Sequence, residues 1–259
     1  MKVPRLANGT SEMPFLDHLE ELRWRLLWCI LAIIIAAGIG FVVVTHFDVL
    51  GILTAPIIPY LNGEKLKYLS PTDPFFITLK LAILLGLILA APIIVYQIWS
   101  FLSPALKPEE KRAIVPSLYL GLVLFAGGVA MAYFIVLPVT LRFTMGFQTE
   151  SLEQAIVIGE YMSVVTRLLL AFGIVFEMPV VILVLAVLGL VTPQFLAEKR
   201  RYALGAITVL AAVITPGDVI TITILMMVPL MLLYELSIVL ARLVTRGRRA
   251  DAAEAAAGA

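Results

Sequence analysis

Long runs of apolar residues dominate the chain, and short polar segments separate them. The six runs cover residues 24–44, 75–99, 113–137, 163–190, 202–214 and 219–239. The first four reach the length of about 20 apolar residues that a helix needs to cross a bilayer. The last two are separated only by Thr-Pro-Gly-Asp, whose Pro-Gly pair predicts a tight reversal. The pattern predicts an all-α membrane protein with six transmembrane helices, of which helices five and six are short.

The composition agrees with a membrane protein. Hydrophobic residues make up 61% of the sequence and charged residues 14%, with a mean hydropathy of +1.04. An ordinary soluble domain is about 45–50% apolar and about 25% charged. The net charge of +1 argues against a nucleic-acid partner, because phosphate binding needs a concentrated basic face. The single cysteine, Cys29, lies in the first apolar run, so no disulfide forms within the chain.

Lysine and arginine cluster in alternate polar segments, and cytoplasmic loops are the ones that collect these residues. They lie before or at the first run, between runs two and three, between runs four and five, and after run six: Lys2, Arg5, Arg23, Arg25, Lys107, Lys111, Arg112, Lys199, Arg200, Arg201, Arg242, Arg246, Arg248 and Arg249. The sequence therefore predicts both termini in the cytoplasm. Residues 1–249 form a single six-helix domain, and the alanine-rich tail 250–259 is expected to be disordered and cytoplasmic.

The sequence does not support an enzyme, because the combinations of residues that such enzymes need are missing. The two histidines, His18 and His46, fall at opposite ends of the first predicted helix and cannot serve a common nucleophile. The sequence contains neither the HExxH zinc motif nor the phosphate-binding loop of an ATP-driven pump. We therefore predict that the chain is not an enzyme and uses no cofactor.

Two predicted cytoplasmic segments mix charged and aromatic residues. In the segment 14–28, leucines recur at helical spacing, so we expect it to lie at the membrane interface before it turns into the first spanning helix. Glu21 and Arg25 stand four residues apart, which on spacing alone describes a surface ion pair contributing a few tenths of a kcal/mol. The segment 99–112 ends in Glu109 and Glu110, which suit the first turn of the third spanning helix.

Glu177 lies well inside the fourth apolar run. A charged side chain at that depth costs about 2.5–3.5 kcal/mol on insertion scales, so the carboxyl is expected to turn away from lipid or to meet a polar partner. Three roles remain open: a hydrogen bond to a helix of the same chain, docking of a partner helix, and proton carriage in a proton-coupled small-solute transporter. Arg167, on the same predicted helix, is expected to extend its side chain outward to the interface.

Five motifs occur in order along the chain. They are HLEELRWRL at 18–26, SPTDPFF at 70–76, the run from Pro92 through YQIWSFLSPAL to EEKR at 109–112, AFGIVFEMP at 171–179 and TPGDV at 215–219. Together they resemble the TatC family, the signal-receptor subunits of the twin-arginine protein translocase, from Pro14 to Arg249. Arg167 and Pro108 depart from the family pattern.

The resemblance implies a concave bundle in the cell inner membrane that binds twin-arginine signal peptides of folded precursors at its cytoplasmic face. It implies that Glu21 and Glu110 bind the paired arginines and that Phe101, Arg23 and Arg25 belong to the same patch. The chemistry is compatible, because a guanidinium is a rigid fork of donors that carboxylates accept bidentately.

The resemblance also implies an oligomeric complex with the single-span proteins TatA and TatB, and export driven by the proton-motive force. In this reading Glu177 lines the concave face and hydrogen-bonds a partner helix. Asp218 is most simply a helix N-cap and a secondary candidate for a functional role. The loop around Pro56 is expected to shape the outer cap of the bundle.

Overall fold

The helices follow the apolar runs closely. The structure is a computed structural model that describes residues 15–61, 63–106, 108–146, 155–214 and 220–257. The helices are α1 Phe15–His46, α2 Val49–Thr54, α3 Asp73–Leu102, α4 Pro108–Met131, α5 Leu137–Met145, α6 Ile158–Val175, α7 Met178–Val187, α8 Pro193–Glu198, α9 Arg200–Ile214 and α10 Ile220–Ala257. Within those ranges no strand forms, and one isolated β-bridge joins Lys67 to Val157. The all-α prediction is confirmed.

Five segments of the described chain are long and apolar enough to cross a membrane. They are Asp17–His46, Asp73–Leu102, Ile114–Met145, Ile158–Val187 and Met226–Val244, and they correspond to predicted spans one to four and six. The fifth predicted span is α9, whose 15 residues give a length of about 22 Å. α9 is therefore short, as predicted. The sixth predicted helix is not short, because α10 continues past the apolar run for a total of 38 residues. The count of six spans stays a prediction.

One expectation about helix ends is wrong. The segment before the first span does not turn at the interface, because α1 runs unbroken for 32 residues from Phe15 and contains no proline and no glycine before Gly38 to interrupt its hydrogen bonds. The last helix, α10, ends at Ala257, and the disorder of the tail 250–259 stays a prediction. Alanine has the highest helix propensity, and it extends a helix that is already nucleated.

Two of the predicted spans are each divided into two helices. A π-helical turn, Ala132–Val136, joins α4 to α5 directly before Pro138. Phe176 and Glu177 separate α6 from α7 directly before Pro179. Proline lacks the N–H that would continue the ladder of hydrogen bonds, so the break falls just before it. Pro92 and Pro229, by contrast, lie inside unbroken helices.

The spanning helices pack on one another in a continuous bundle. At one edge α1 lies against α3 so closely that a Cβ on Gly40 would stand 2.5 Å from the Ala82 carbonyl oxygen. α3 packs on α4 and α6, α7 packs on α10, and α9 closes the other edge against α10. The core is centred on α6, where Met162, Val165 and Leu168 are fully buried.

The segment around Pro56 is fixed to the bundle by hydrogen bonds to α2, the short helix that precedes it. The Tyr161 hydroxyl donates to the Leu53 carbonyl at 2.8 Å, and the Tyr133 hydroxyl donates to the Ile52 carbonyl at 2.5 Å. The Lys67 N–H then donates to the Ile156 carbonyl, and the Lys67 carbonyl accepts from the N–H of Ile158, the first residue of α6. Pro56 therefore lies in a cap over the end of the bundle at which α1 finishes.

Candidate functional site

A groove opens at the opposite end of the bundle, where α1 begins, α3 ends and α4 starts. Its volume is about 420 Å³, and it is lined by polar and aromatic residues together with one proline: Glu21, Arg25, Tyr96, Trp99, Ser100, Ser103, Pro104 and Lys111. The close packing of α1 on α3 brings Glu21 to the wall of this groove. The leucines of the segment before the first span lie away from α3, since Leu19, Leu22, Leu26 and Leu27 are exposed.

The Glu21 carboxylate is only partly satisfied. Arg25 donates from Nε to Glu21 Oε1 at 2.9 Å, and its Nη2 donates to the same oxygen. Arg25 Nη1 also donates to Gln97 Oε1 on α3 at 3.4 Å. The second oxygen, Glu21 Oε2, is shielded from solvent and has no hydrogen-bond partner among the described residues. A shielded charged acceptor without a donor is costly, so Oε2 is a favourable point for an incoming N–H.

An aromatic stack ties the same part of α1 to the end of α3. The His18 and Phe101 rings lie 4.3 Å apart at 14°, and His18 Nδ1 stands 3.8 Å from Glu21 Oε2. The two stacked rings therefore lie beside the carboxylate. The stack places Phe101, which the sequence singled out, next to Glu21.

The other predicted site residues fall in several places. Arg23 lies on the exposed side of α1, because residues two apart on a helix do not share a face. Glu110 lies in the first turn of α4, one residue before Lys111 of the groove wall, and its side chain is outside the described part of the structure. Asp218 also lies outside the described residues. Pro56 lies at the far end of α1 from the groove.

Glu177 occupies a second and separate polar position. It separates α6 from α7 and its side chain is half-buried against α4. A Cβ on Gly121 of α4 would stand 2.8 Å from Glu177 Oε2. Among the described residues the carboxylate has no hydrogen-bond partner within the chain, which disfavours the role of an internal brace.

Several residues in or beside the groove receive no site role from the sequence, although His18, Tyr96, Gln97 and Trp99 lie within two of the five motifs. For His18 the sequence is read only in terms of a catalytic base, although its i,i+3 spacing to Glu21 also indicates the contact. Tyr96, Gln97, Trp99 and Lys111 carry no spacing signal of their own, because they enter the site through the packing of α3 and α4 on α1.

These features define a multi-pass membrane protein with a groove at one end of its helix bundle, where Glu21, Arg25 and Lys111 line the wall. The chain belongs to the TatC family, since the family model described as Sec-independent protein translocase protein (TatC) matches residues 17–229.

Relatives and solved structures agree with the family assignment. The Sec-independent protein translocase protein TatC of Aquifex aeolicus is 44% identical over 239 residues, covering 92% of this chain and 98% of that protein. The Escherichia coli protein of the same name is 37% identical over 242 residues, with 92% of each chain covered. A crystal structure of the twin-arginine translocase receptor TatC superimposes with a TM-score of 0.76 at 43% identity, covering 88% of this chain and 99% of that one.

Proposed function

We propose that this chain is the receptor subunit of a twin-arginine translocase and that the groove between α1 and α3 binds the paired arginines of signal peptides. The observation that carries the proposal is the Glu21 carboxylate, which has one oxygen held by Arg25 and the other shielded and without a donor. A signal-peptide guanidinium donates to Oε2 while Arg25 remains on Oε1. Arg25 and Gln97 thereby hold the carboxylate in its binding orientation before the peptide arrives.

A second acid is needed for the second arginine, and Glu110 is the candidate because it adjoins the groove wall at Lys111. Two carboxylates that each accept a planar fork of donors discriminate against lysine, whose single ammonium offers no such geometry. Tyr96 and Trp99 in the wall add aromatic faces on which a guanidinium can stack. Phe101, held by His18, contributes apolar surface for the residues that follow the arginines.

In the same proposal both termini face the cytoplasm, six helices span the cell inner membrane, and the groove opens to the cytoplasm. The receptor recruits single-span partners of the TatA and TatB type into an oligomeric complex that exports folded precursors by the proton-motive force. Glu177 is the docking contact for a partner helix. The family assignment favours this receptor over a proton-coupled small-solute transporter with Glu177 as proton carrier.

The test is the affinity of a twin-arginine peptide for the detergent-solubilised full chain and its variants. Charge-assisted hydrogen bonds contribute about 1.5–3 kcal/mol each, so Glu21→Ala is expected to weaken binding about tenfold or more. Glu20→Ala removes the neighbouring exposed acid and serves as the matched control, with binding close to that of the unmodified chain. Equal weakening by both variants, or none by Glu21→Ala, would contradict the proposal.

A further inference from the structure

One glycine of α4, Gly121, faces the Glu177 side chain. Gly121 is buried within α4, and a Cβ there would stand 2.8 Å from Glu177 Oε2, 3.4 Å from Oε1 and 3.5 Å from Cδ. The nearest of these distances is too short for a real Cβ. The carboxylate of Glu177 therefore occupies space that any other residue at position 121 would fill.

Three glycines of α4 have three different surroundings. At Gly128 a Cβ would meet the backbone, 2.6 Å from the Phe172 carbonyl oxygen, so this glycine permits close packing of α4 on α6. At Gly127 a Cβ would meet nothing within 4 Å. At Gly121 the nearest three atoms all belong to the Glu177 side chain. Glycine inside a helix costs roughly 0.5–1 kcal/mol relative to alanine, so helix stability does not explain its presence at 121.

We infer that Gly121 is a positioning residue for Glu177: without a Cβ, it lets the carboxylate lie against α4 and so fixes the direction in which the carboxylate meets a partner helix. This inference rests on the proposed docking role of Glu177. Direction matters at this depth, because a misdirected carboxyl in the apolar layer loses its hydrogen bond without gaining water. The atoms in conflict are the far end of a flexible side chain, so an alanine at 121 displaces the carboxylate and leaves the helices in place.

A first experiment measures the carboxyl position without any partner. The full chain is labelled with ¹³C-glutamate in lipid nanodiscs, and the Glu177 carboxyl resonance is identified as the one that Glu177→Gln removes. Gly121→Ala is expected to shift this resonance, and Gly127→Ala is expected to leave it unchanged. The thermal unfolding midpoint of Gly121→Ala should stay near that of the unmodified chain, whereas Gly128→Ala should lower it through its backbone clash. An unshifted Glu177 resonance in Gly121→Ala overturns the inference.

A second experiment measures association with a co-reconstituted single-span partner as a double-mutant cycle. In a chain that keeps Glu177, Gly121→Ala is expected to weaken association severalfold. In a chain that carries Glu177→Leu, the same substitution is expected to have no effect on association. Glu177→Asp, shorter by one methylene, should recover part of the loss when combined with Gly121→Ala. The same fold loss in both backgrounds would show that Gly121 acts through helix packing and would overturn the inference.

The two experiments distinguish the docking role of Glu177 from the positioning role of Gly121. If Glu177→Leu leaves association unchanged, the proposed docking role fails, and the resonance alone decides whether Gly121 positions the carboxyl. If Glu177→Leu abolishes association but Gly121→Ala neither shifts the resonance nor weakens association, docking stands and positioning fails.

Discussion

The chain holds two candidate acids in opposite settings. Glu21 lies in an open groove, where Arg25 of the same helix occupies one carboxylate oxygen and both side chains keep 22–24% of their surface exposed. Glu177 lies in a spanning segment at a helix break, has no hydrogen-bond partner among the described side chains, and rests against the bare backbone at Gly121. The Glu21 side chain is held by its ion pair with Arg25, whereas the Glu177 side chain occupies the space that Gly121 leaves.

The difference separates two kinds of recognition. An acid in a solvated groove attracts cationic ligands, and competing ions screen that attraction. An acid at membrane depth is costly unless a polar group meets it, so it favours a partner that brings a hydrogen bond into the apolar layer. Loss of either acid should therefore impair one kind of binding and spare the other.

The largest effect is expected from substitutions of Glu177, which test whether partner binding and peptide binding are separate. Glu177→Leu should reduce partner-helix association to background, because no hydrogen-bonding group remains, while Glu177→Gln should retain a substantial part of it. Crosslinking to a co-reconstituted single-span partner measures both variants, and twin-arginine peptide affinity serves as the control that should not change. Equal loss in the Leu and Gln variants would mean that charge, and not hydrogen bonding, makes the contact.

A smaller effect is expected from salt. Raising the ionic strength shortens the Debye length from about 10 Å at 0.1 M to about 3 Å at 1 M, so peptide binding at the open groove should weaken severalfold. The affinity for the partner helix at Glu177 should not change measurably over the same range of salt, since buried contacts are screened much less. Parallel titrations of both interactions with sodium chloride test this, and an equal response of the two would remove the distinction between the sites.

Hydropathy and the order of the motifs predict most of the spans and one acid of the candidate site. Apolar runs located the spans, because a helix in lipid must be apolar along its length. The motif around Glu21 identified the acid that the structure places in the groove. Hydropathy averages over a window, however, and does not record hydrogen-bond register. The π-helical turn Ala132–Val136 and the break at Phe176 and Glu177 therefore remained hidden in continuous apolar runs.

Contacts between helices were the part that sequence did not reveal. The stack of His18 on Phe101 and the hydrogen bond from Arg25 to Gln97 join residues more than 70 positions apart. Gly121 is one of 17 glycines, and nothing in its local sequence distinguishes it from Gly127. Its relation to Glu177 depends on how α4 crosses α7, which no pattern within either helix specifies.

The central claim is that Glu21 directly accepts a hydrogen bond from an arginine of the signal peptide. The most direct test is a double-mutant cycle that combines Glu21→Gln with replacement of each peptide arginine by glutamine, with Glu20→Gln as the reference acid. The account predicts a coupling of about 1.5–3 kcal/mol between Glu21 and one arginine, and none for Glu20. Additive losses at Glu21 for both arginines would contradict it.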